Sequence, residues 1–152
     1  MSIVELYIYD VTNGMARVLS PALVGRTVEA VYHTSIVIFG KEYYYQGGIS
    51  TASPGTTPFG KPIEKRELGT TELEITDLEL FIDSISSEFS PEKYNLFENN
   101  CNHFSNSVSE FLVGTPIPIE ILGQASEFKN TPIGNLLNQM SSGLTQYNNS
   151  NK

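Results

Sequence analysis

Cys101, the only cysteine in this chain of 152 residues, is the side chain with the clearest chemical potential. It follows Asn99 and Asn100 and begins an apolar pattern with helical spacing, so we expect it in the first turn of a helix. The unpaired N–H groups and the dipole of a helix start can lower the pKa of a thiol from about 8.5 towards neutral, which makes it nucleophilic. A buried structural cysteine is the commoner role for such a position, because Cys101 shares the spacing of apolar residues.

A nucleophilic thiol needs a base, and the chain has two histidines, His33 and His103. His103 lies two residues after Cys101, about 200° around the helix axis, so the two side chains cannot face each other. We therefore expect His103 to be a partly exposed or capping residue. His33 lies on a predicted strand, where its imidazole can meet the start of a packed helix. A core histidine bonded to the backbone is the alternative for His33.

Asparagines near the cysteine are candidates to support this chemistry. Asn95 and Asn100 can each cap a helix or donate a hydrogen bond to an oxyanion, and capping is the commoner role for either one. No third residue to orient His33 is evident, although Tyr44, Gln46 or a backbone carbonyl could do so.

Strands dominate the first half of the chain. Alternating apolar and polar residues predict a strand over residues 3–10, and residues 31–39 and 43–46 predict a hairpin. Residues 49–62 are rich in Ser, Thr, Gly and Pro, so we expect a long surface loop of the kind that often borders a site. A short extended stretch is expected over residues 63–68.

Helices follow the strands. Apolar spacing predicts them over residues 77–89, 101–112 and 131–140. A capping box at Thr76 opens the first of these, and Gly114 sits where the second should end. Ser20-Pro21 favours only a short helix or an irregular loop, because Gly25 follows soon after. This order of strands and then helices predicts the α+β class.

Charge and size limit the functions that fit. The chain has 17 Asp and Glu against 9 Lys and Arg, a formal net charge of −8. Binding to nucleic acid or to an anionic membrane needs clustered basic residues, so neither partner is expected. The length suits one domain, which we place at residues 1–140, and residues 141–152 have the composition of a disordered C-terminal tail.

The single cysteine also limits cofactor chemistry and location. It cannot form an intrachain disulfide, and one cysteine with two histidines is a poor ligand supply for zinc, so no metal or other cofactor is expected. The N-terminal segment lacks the basic start and apolar run of a signal peptide, and no apolar stretch reaches the length of a transmembrane helix. We expect a protein of the cytoplasm, with the nucleus as a second possible location.

Four segments of the chain carry a family resemblance: residues 4–10, 33–37, 44–48 and 94–106. The most specific are His-Thr-Ser-Ile-Val from His33 and Asn-Asn-Cys-Asn-His-Phe-Ser-Asn from Asn99, and the spacing between them also agrees. On these motifs the chain resembles the PPPDE peptidase family, in its desumoylating isopeptidase type 1 branch. The likeness continues through residues 111–114, 117–118 and 131–134.

The resemblance implies a papain-like cysteine peptidase fold in circularly permuted order, with an antiparallel sheet packed with helices. It implies that His33 and Cys101 are the catalytic pair, which agrees with the choice of His33 over His103. It also implies a homodimer and an enzyme that removes ubiquitin-like modifiers, chiefly SUMO but also ubiquitin, from lysine side chains.

The resulting prediction is a cysteine isopeptidase with a Cys-His dyad. Cys101 attacks the isopeptide carbonyl, His33 protonates the departing amine, and Asn95 or Asn100 is the candidate second donor to the oxyanion. One alternative keeps the dyad but cleaves S-acyl thioesters, such as palmitoyl-cysteine. Another is a binding or adaptor module in which Cys101 is inert.

Overall fold

A five-stranded antiparallel sheet forms the centre of the computed structural model, which describes residues 1–132 and 134–139. The strands, in the spatial order β4-β3-β2-β1-β5, are β1 (Ser2–Asp10), β2 (Tyr32–Ile38), β3 (Lys41–Tyr45), β4 (Ile49–Ala52) and β5 (Glu64–Thr71). The helices are α1 (Met15–Val24), α2 (Ile75–Ile85), α3 (Cys101–Val113), α4 (Ile119–Leu122) and α5 (Gln124–Glu127). A 3₁₀ turn spans Pro91–Lys93, and residues 134–139 are helical. The expectation of an antiparallel sheet packed with helices is confirmed.

Different groups of side chains pack on the two faces of the sheet. Apolar side chains of β1 such as Leu6 and Ile8 pack into the main core with Phe104 and Val108 of α3. The other face carries a smaller cluster made of Tyr7, Tyr9 and Val37, with Phe59 packed against it. Strand alternation therefore sends neighbouring residues of β1 and β2 into two different environments.

Strand β2 separates from β3 at the end that carries His33. Its pairing with β3 ends at Ile36 and Tyr43, whereas its pairing with β1 continues to Tyr32. Buried backbone N–H and C=O groups need partners, so other parts of the chain must bond the free edge of residues 32–34. The start of α3 lies at this edge.

Helix α1 is longer than the sequence indicated. The helix begins after Gly14, and Pro21 lies inside it. The Thr12 hydroxyl accepts a hydrogen bond from the N–H of Ala16 and so supports the first turn, whereas Ser20, the expected N-cap, accepts instead from the N–H of Val28. The start is thus fixed by the turn after β1, which the Ser-Pro signal obscured.

Helix α2 begins earlier and ends earlier than the predicted 77–89. Its N-cap is Glu74, which forms a capping box with Asp77, so the predicted cap at Thr76 was wrong. The helix ends at Ile85, because the Ser86 N–H and hydroxyl both donate to the Asp83 carbonyl and tighten the last turn. Phe89, which extended the apolar pattern, is buried outside the helix.

Other elements follow their local signals more closely. Strand β1 and helix α3 lie where the sequence placed them, and α3 ends at Gly114, whose φ of 78° is left-handed. The expected loop of residues 49–62 was wrong in its first part, because Ile49–Ala52 pairs with β3 as β4. The helices α4 and α5 were not predicted. The predicted tail from residue 141 and the helix end at Met140 lie outside the described residues.

Within residues 1–132 and 134–139, no helix combines the length and apolar character that a membrane span requires.

Candidate active site

The start of α3 is fixed by a reciprocal pair of caps. The Oδ1 atom of Asn100 accepts hydrogen bonds from the N–H groups of Asn102 at 2.8 Å and His103 at 3.2 Å. The Nδ1 atom of His103 in turn accepts from the N–H of Asn100 at 3.0 Å. His103 is therefore a capping residue, as expected, and Cys101 is the first residue of the helix.

The thiol of Cys101 lies against the free edge of β2. It is buried and lies 3.8 Å from the Oδ1 atom of Asn102, and interactions with the backbone of Thr34 and the side chain of Tyr94 lower its pKa. Thr34 directly follows His33 in the chain, so this interaction brings the start of α3 close to the backbone of His33. Sequence reasoning missed Tyr94, whose only signal was its place in the segment before the cysteine.

Asn102 bonds the same edge of β2 on both sides of His33. Its Oδ1 accepts from the Thr34 hydroxyl at 2.7 Å, and its Nδ2 donates to the Tyr32 carbonyl at 3.0 Å. Gln124 completes the edge, because its Oε1 accepts from the Tyr32 N–H at 2.8 Å. The backbone groups that β3 leaves free are thus bonded by side chains of α3 and α5.

His33 is held by aromatic rings on the opposite side of β2 from the Thr34 side chain. The ring of Phe59 stacks on its imidazole with centroids 3.5 Å apart, Tyr9 lies at 5.5 Å, and Tyr44 meets it edge-on at 6.3 Å. The Nε2 atom is buried and has no hydrogen-bond partner in the described part of the chain. Packing against these three rings fixes the orientation of the imidazole.

A buried carboxylate fastens the loop that carries Phe59. Glu42 of β3 accepts hydrogen bonds from the hydroxyls of Tyr9 and Ser35, and its Oε1 accepts from the Gly55 N–H at 2.9 Å. Its side chain is fully buried, so these three donors replace its hydration. We call residues 53–60 the cover loop, because this segment seals His33 from solvent.

Burial favours the neutral forms of the Cys101 thiol and the His33 imidazole. It raises the pKa of the Cys101 thiol to about 11 and lowers the pKa of His33 to about 3. The expected fall of the thiol pKa at a helix start was wrong in direction. Hydrogen bonds from Thr34, Tyr94 and the helix start do lower it, but the loss of hydration outweighs them.

The two asparagines proposed for the oxyanion are engaged in local caps. The Oδ1 atom of Asn95 accepts from the N–H groups of Phe97 and Glu98, each at 3.0 Å. The Nδ2 atom of Asn100 donates to the Leu96 carbonyl at 2.6 Å. Asn100 thus caps a helix, the commoner of the two roles weighed from the sequence, whereas Asn95 holds the turn before α3. For both residues a role at the oxyanion stays a prediction.

The described residues hold no cluster of three or more His, Cys, Asp or Glu side chains that could bind a metal ion.

Comparison with known proteins places this arrangement in a family. Residues 2–142 match the family model described as "PPPDE putative peptidase domain". The chain belongs to the PPPDE family. The resemblance drawn from the motifs around His33 and Cys101 is confirmed, and the motif with Cys101 supplies the start of α3 in this PPPDE member.

Curated relatives share most of the chain. The protein named Desumoylating isopeptidase 1 in Xenopus laevis is 44% identical over 140 residues, which cover 89% of this chain and 81% of that protein. Those of the same name in Homo sapiens and Rattus norvegicus are 45% and 44% identical over 139 residues, and both matches cover 88% of this chain and 81% of the relative.

Proposed function

We propose that this PPPDE protein is a cysteine isopeptidase that removes a ubiquitin-like modifier from lysine side chains, with SUMO as the first candidate and ubiquitin as the second. The names of its relatives support the substrate class. The structural observation that carries the proposal is that Asn102, the residue next to Cys101, is hydrogen-bonded to Thr34 and Tyr32, the two neighbours of His33.

Cys101 is the nucleophile and His33 the base in the proposed reaction. Because both groups are neutral at rest, the imidazole takes the thiol proton as Sγ attacks the isopeptide carbonyl carbon. The C–N bond then breaks, and His33 returns the proton to the departing lysine amine. Water, activated by His33, attacks the thioester, releases the modifier as a carboxylate and restores the thiol.

Two donors beside the thiol stabilise the oxyanion that forms during attack. One is the backbone N–H of Cys101, which as the first residue of α3 has no partner within the helix. The other is the Tyr94 hydroxyl, because the Tyr94 side chain interacts with the thiol, whereas the Nδ2 of Asn100 already donates to the Leu96 carbonyl and the Oδ1 of Asn95 holds a turn. Tyr94 is therefore the better candidate for the second donor.

The family resemblance extends the proposal to architecture and assembly. The histidine strand precedes the cysteine helix in the chain, as a circularly permuted papain-like fold requires. We also expect a homodimer, which sedimentation velocity would detect, and a location in the cytoplasm.

Cleavage of defined substrates tests the proposed function. We expect the wild type to release a fluorescent lysine from an isopeptide-linked SUMO or ubiquitin conjugate, and Cys101→Ser to lose this activity. A palmitoyl thioester is the matched substrate, because the same dyad could cleave it. Cleavage of the thioester alone would replace the proposal with a thioesterase, and binding of the modifier without cleavage of either substrate would replace it with a binding module.

A further inference from the structure

We propose that Asn102 is a positioning residue that sets the distance between the Cys101 thiol and the His33 imidazole. The inference rests on the proposed dyad and names a residue that holds its two members together. Asn102 directly follows Cys101 on α3, and its side chain is buried. The Cys101 thiol also donates to the Oδ1 of Asn102 over a long distance of 3.8 Å, but the proposed acceptor of the thiol proton is His33.

The carboxamide of Asn102 holds β2 at two points that flank His33. The Thr34 hydroxyl donates to its Oδ1 at 2.7 Å, and its Nδ2 donates to the Tyr32 carbonyl at 3.0 Å. The backbone of His33 therefore cannot shift relative to the start of α3 without breaking one of these bonds.

This stretch of β2 depends on such a contact because β3 does not support it. The pairing of β2 with β3 ends at Ile36, so residues 32–34 are held as a strand only by β1, on the other edge. The cap at Asn100 fixes the first turn of α3 internally but does not reach β2. Gln124 bonds only residues before His33, because it accepts from the Tyr32 N–H and donates to the Ala30 carbonyl.

The chemistry of the site makes this distance important. Since burial keeps the thiol and the imidazole neutral, the proton must cross between them as the nucleophile attacks. Proton transfer needs heavy atoms within about 3 Å, and a displacement of about 1 Å can slow a reaction by about a hundredfold.

Asparagine fits both bonds because it places one acceptor and one donor on a single planar group. Leucine has a similar volume but would leave the Tyr32 carbonyl and the Thr34 hydroxyl without their partner. Asn106 offers a matched control four residues later on the same helix. Its Oδ1 accepts from the Ile117 N–H at 3.0 Å, so Asn106→Leu also breaks a carboxamide contact of α3, but away from the dyad.

The test is the second-order rate of Cys101 alkylation by iodoacetamide between about pH 5 and 9, with and without His33. We expect Asn102→Leu to lower this rate roughly tenfold or more when His33 is present. In a His33→Ala background the same change should have no further effect, because the base is already gone. Asn106→Leu should react like the wild type.

A second pair of variants tests the contact if Asn102→Leu does not fold. Thr34→Val removes the hydroxyl that bonds Asn102 and should slow alkylation, and Thr34→Ser should recover most of the loss. The inference would be overturned if Asn102→Leu were alkylated at the wild-type rate. It would also be overturned if Asn102→Leu lowered the alkylation rate by the same factor with and without His33. For the Thr34 pair, equal alkylation rates of Thr34→Val and Thr34→Ser would overturn it. If His33→Ala itself leaves the rate unchanged, the dyad is wrong and the inference falls with it.

Discussion

Tyr94 is the proposed second donor to the oxyanion, because its side chain interacts with the Cys101 thiol. Its ring packs against Tyr45 with centroids 5.0 Å apart, so Tyr94→Phe should keep the packing and lose only the donor. Loss of one oxyanion donor typically lowers kcat by about 10²-fold to 10³-fold. We expect a fall of that order with little change in KM, measured by steady-state cleavage of a fluorogenic isopeptide conjugate.

Tyr45→Phe is the matched control for this prediction. It removes a hydroxyl from the same aromatic group, but that hydroxyl donates to the Ser90 carbonyl at 2.6 Å rather than to the thiol. If the two variants lose the same fraction of kcat, Tyr94 is a packing residue and not an oxyanion donor.

The residues that sequence reasoning found and missed differ in the range of their contacts. The Asn100 and His103 caps bond residues at most four positions away, so helix-start rules anticipate them. Asn102 bonds Thr34 and Tyr32, which lie 68 and 70 residues away, and no local pattern reports such a pairing. The direction of the Cys101 pKa was missed for a related reason, because burial depends on tertiary packing.

At the scale of elements, the cover loop of residues 53–60 packs against His33 and is anchored by Glu42. Its Gly55 N–H is bonded by the buried Glu42 carboxylate, and its Phe59 ring stacks on the imidazole. Glu42→Gln removes the charge that binds three donors, so the cover loop should loosen and hydration of His33 should increase. We expect the pKa of His33 to rise from about 3 towards its ordinary value near 6.5, as measured by an NMR titration of the imidazole.

The low pKa of His33 in the folded wild type determines how the stability of the protein changes with pH. The folded-state pKa of His33 lies below the unfolded value, so the neutral ring stabilises the fold above about pH 6.5, and this contribution is lost as the pH falls towards 3. Glu42→Gln should therefore weaken that dependence. Glu67→Gln, on an exposed position of β5, is the charge-matched control. An unchanged His33 pKa in Glu42→Gln would show that the cover loop is held by other contacts.

Elements with strong local signals were predicted well, and those defined by pairing were not. Helix α3 has a capping asparagine at its start and Gly114 at its end, and both ends were placed correctly. The four residues of β4 read as loop because Ser50 and Thr51 carry no apolar alternation, and only their pairing with β3 makes them a strand. Phe89 continued the helical period of α2 although it enters the core from the turn beyond the helix.

At the scale of the whole molecule, the site depends on contacts between distant parts of the chain. Strand β5 pairs with β1 rather than with its neighbour in sequence, β4, which leaves β2 at the centre of the sheet. The opening between β2 and β3 then admits the start of α3. Composition and periodicity predicted the class of the fold, but they carry no information about the order of the strands in the sheet. The family motifs around His33 and Cys101 supplied the prediction that these two residues act together, which stays a prediction.

The most direct test of the central claim is covalent capture by SUMO that carries a C-terminal propargylamide, read by intact-protein and peptide mass spectrometry. We predict one adduct at Cys101 in the wild type, no adduct in Cys101→Ser and a strongly slowed reaction in His33→Ala. Labelling of His33→Ala at the wild-type rate would contradict the dyad. The isopeptidase proposal would be contradicted if the folded wild type formed no adduct with either the SUMO probe or the matching ubiquitin probe.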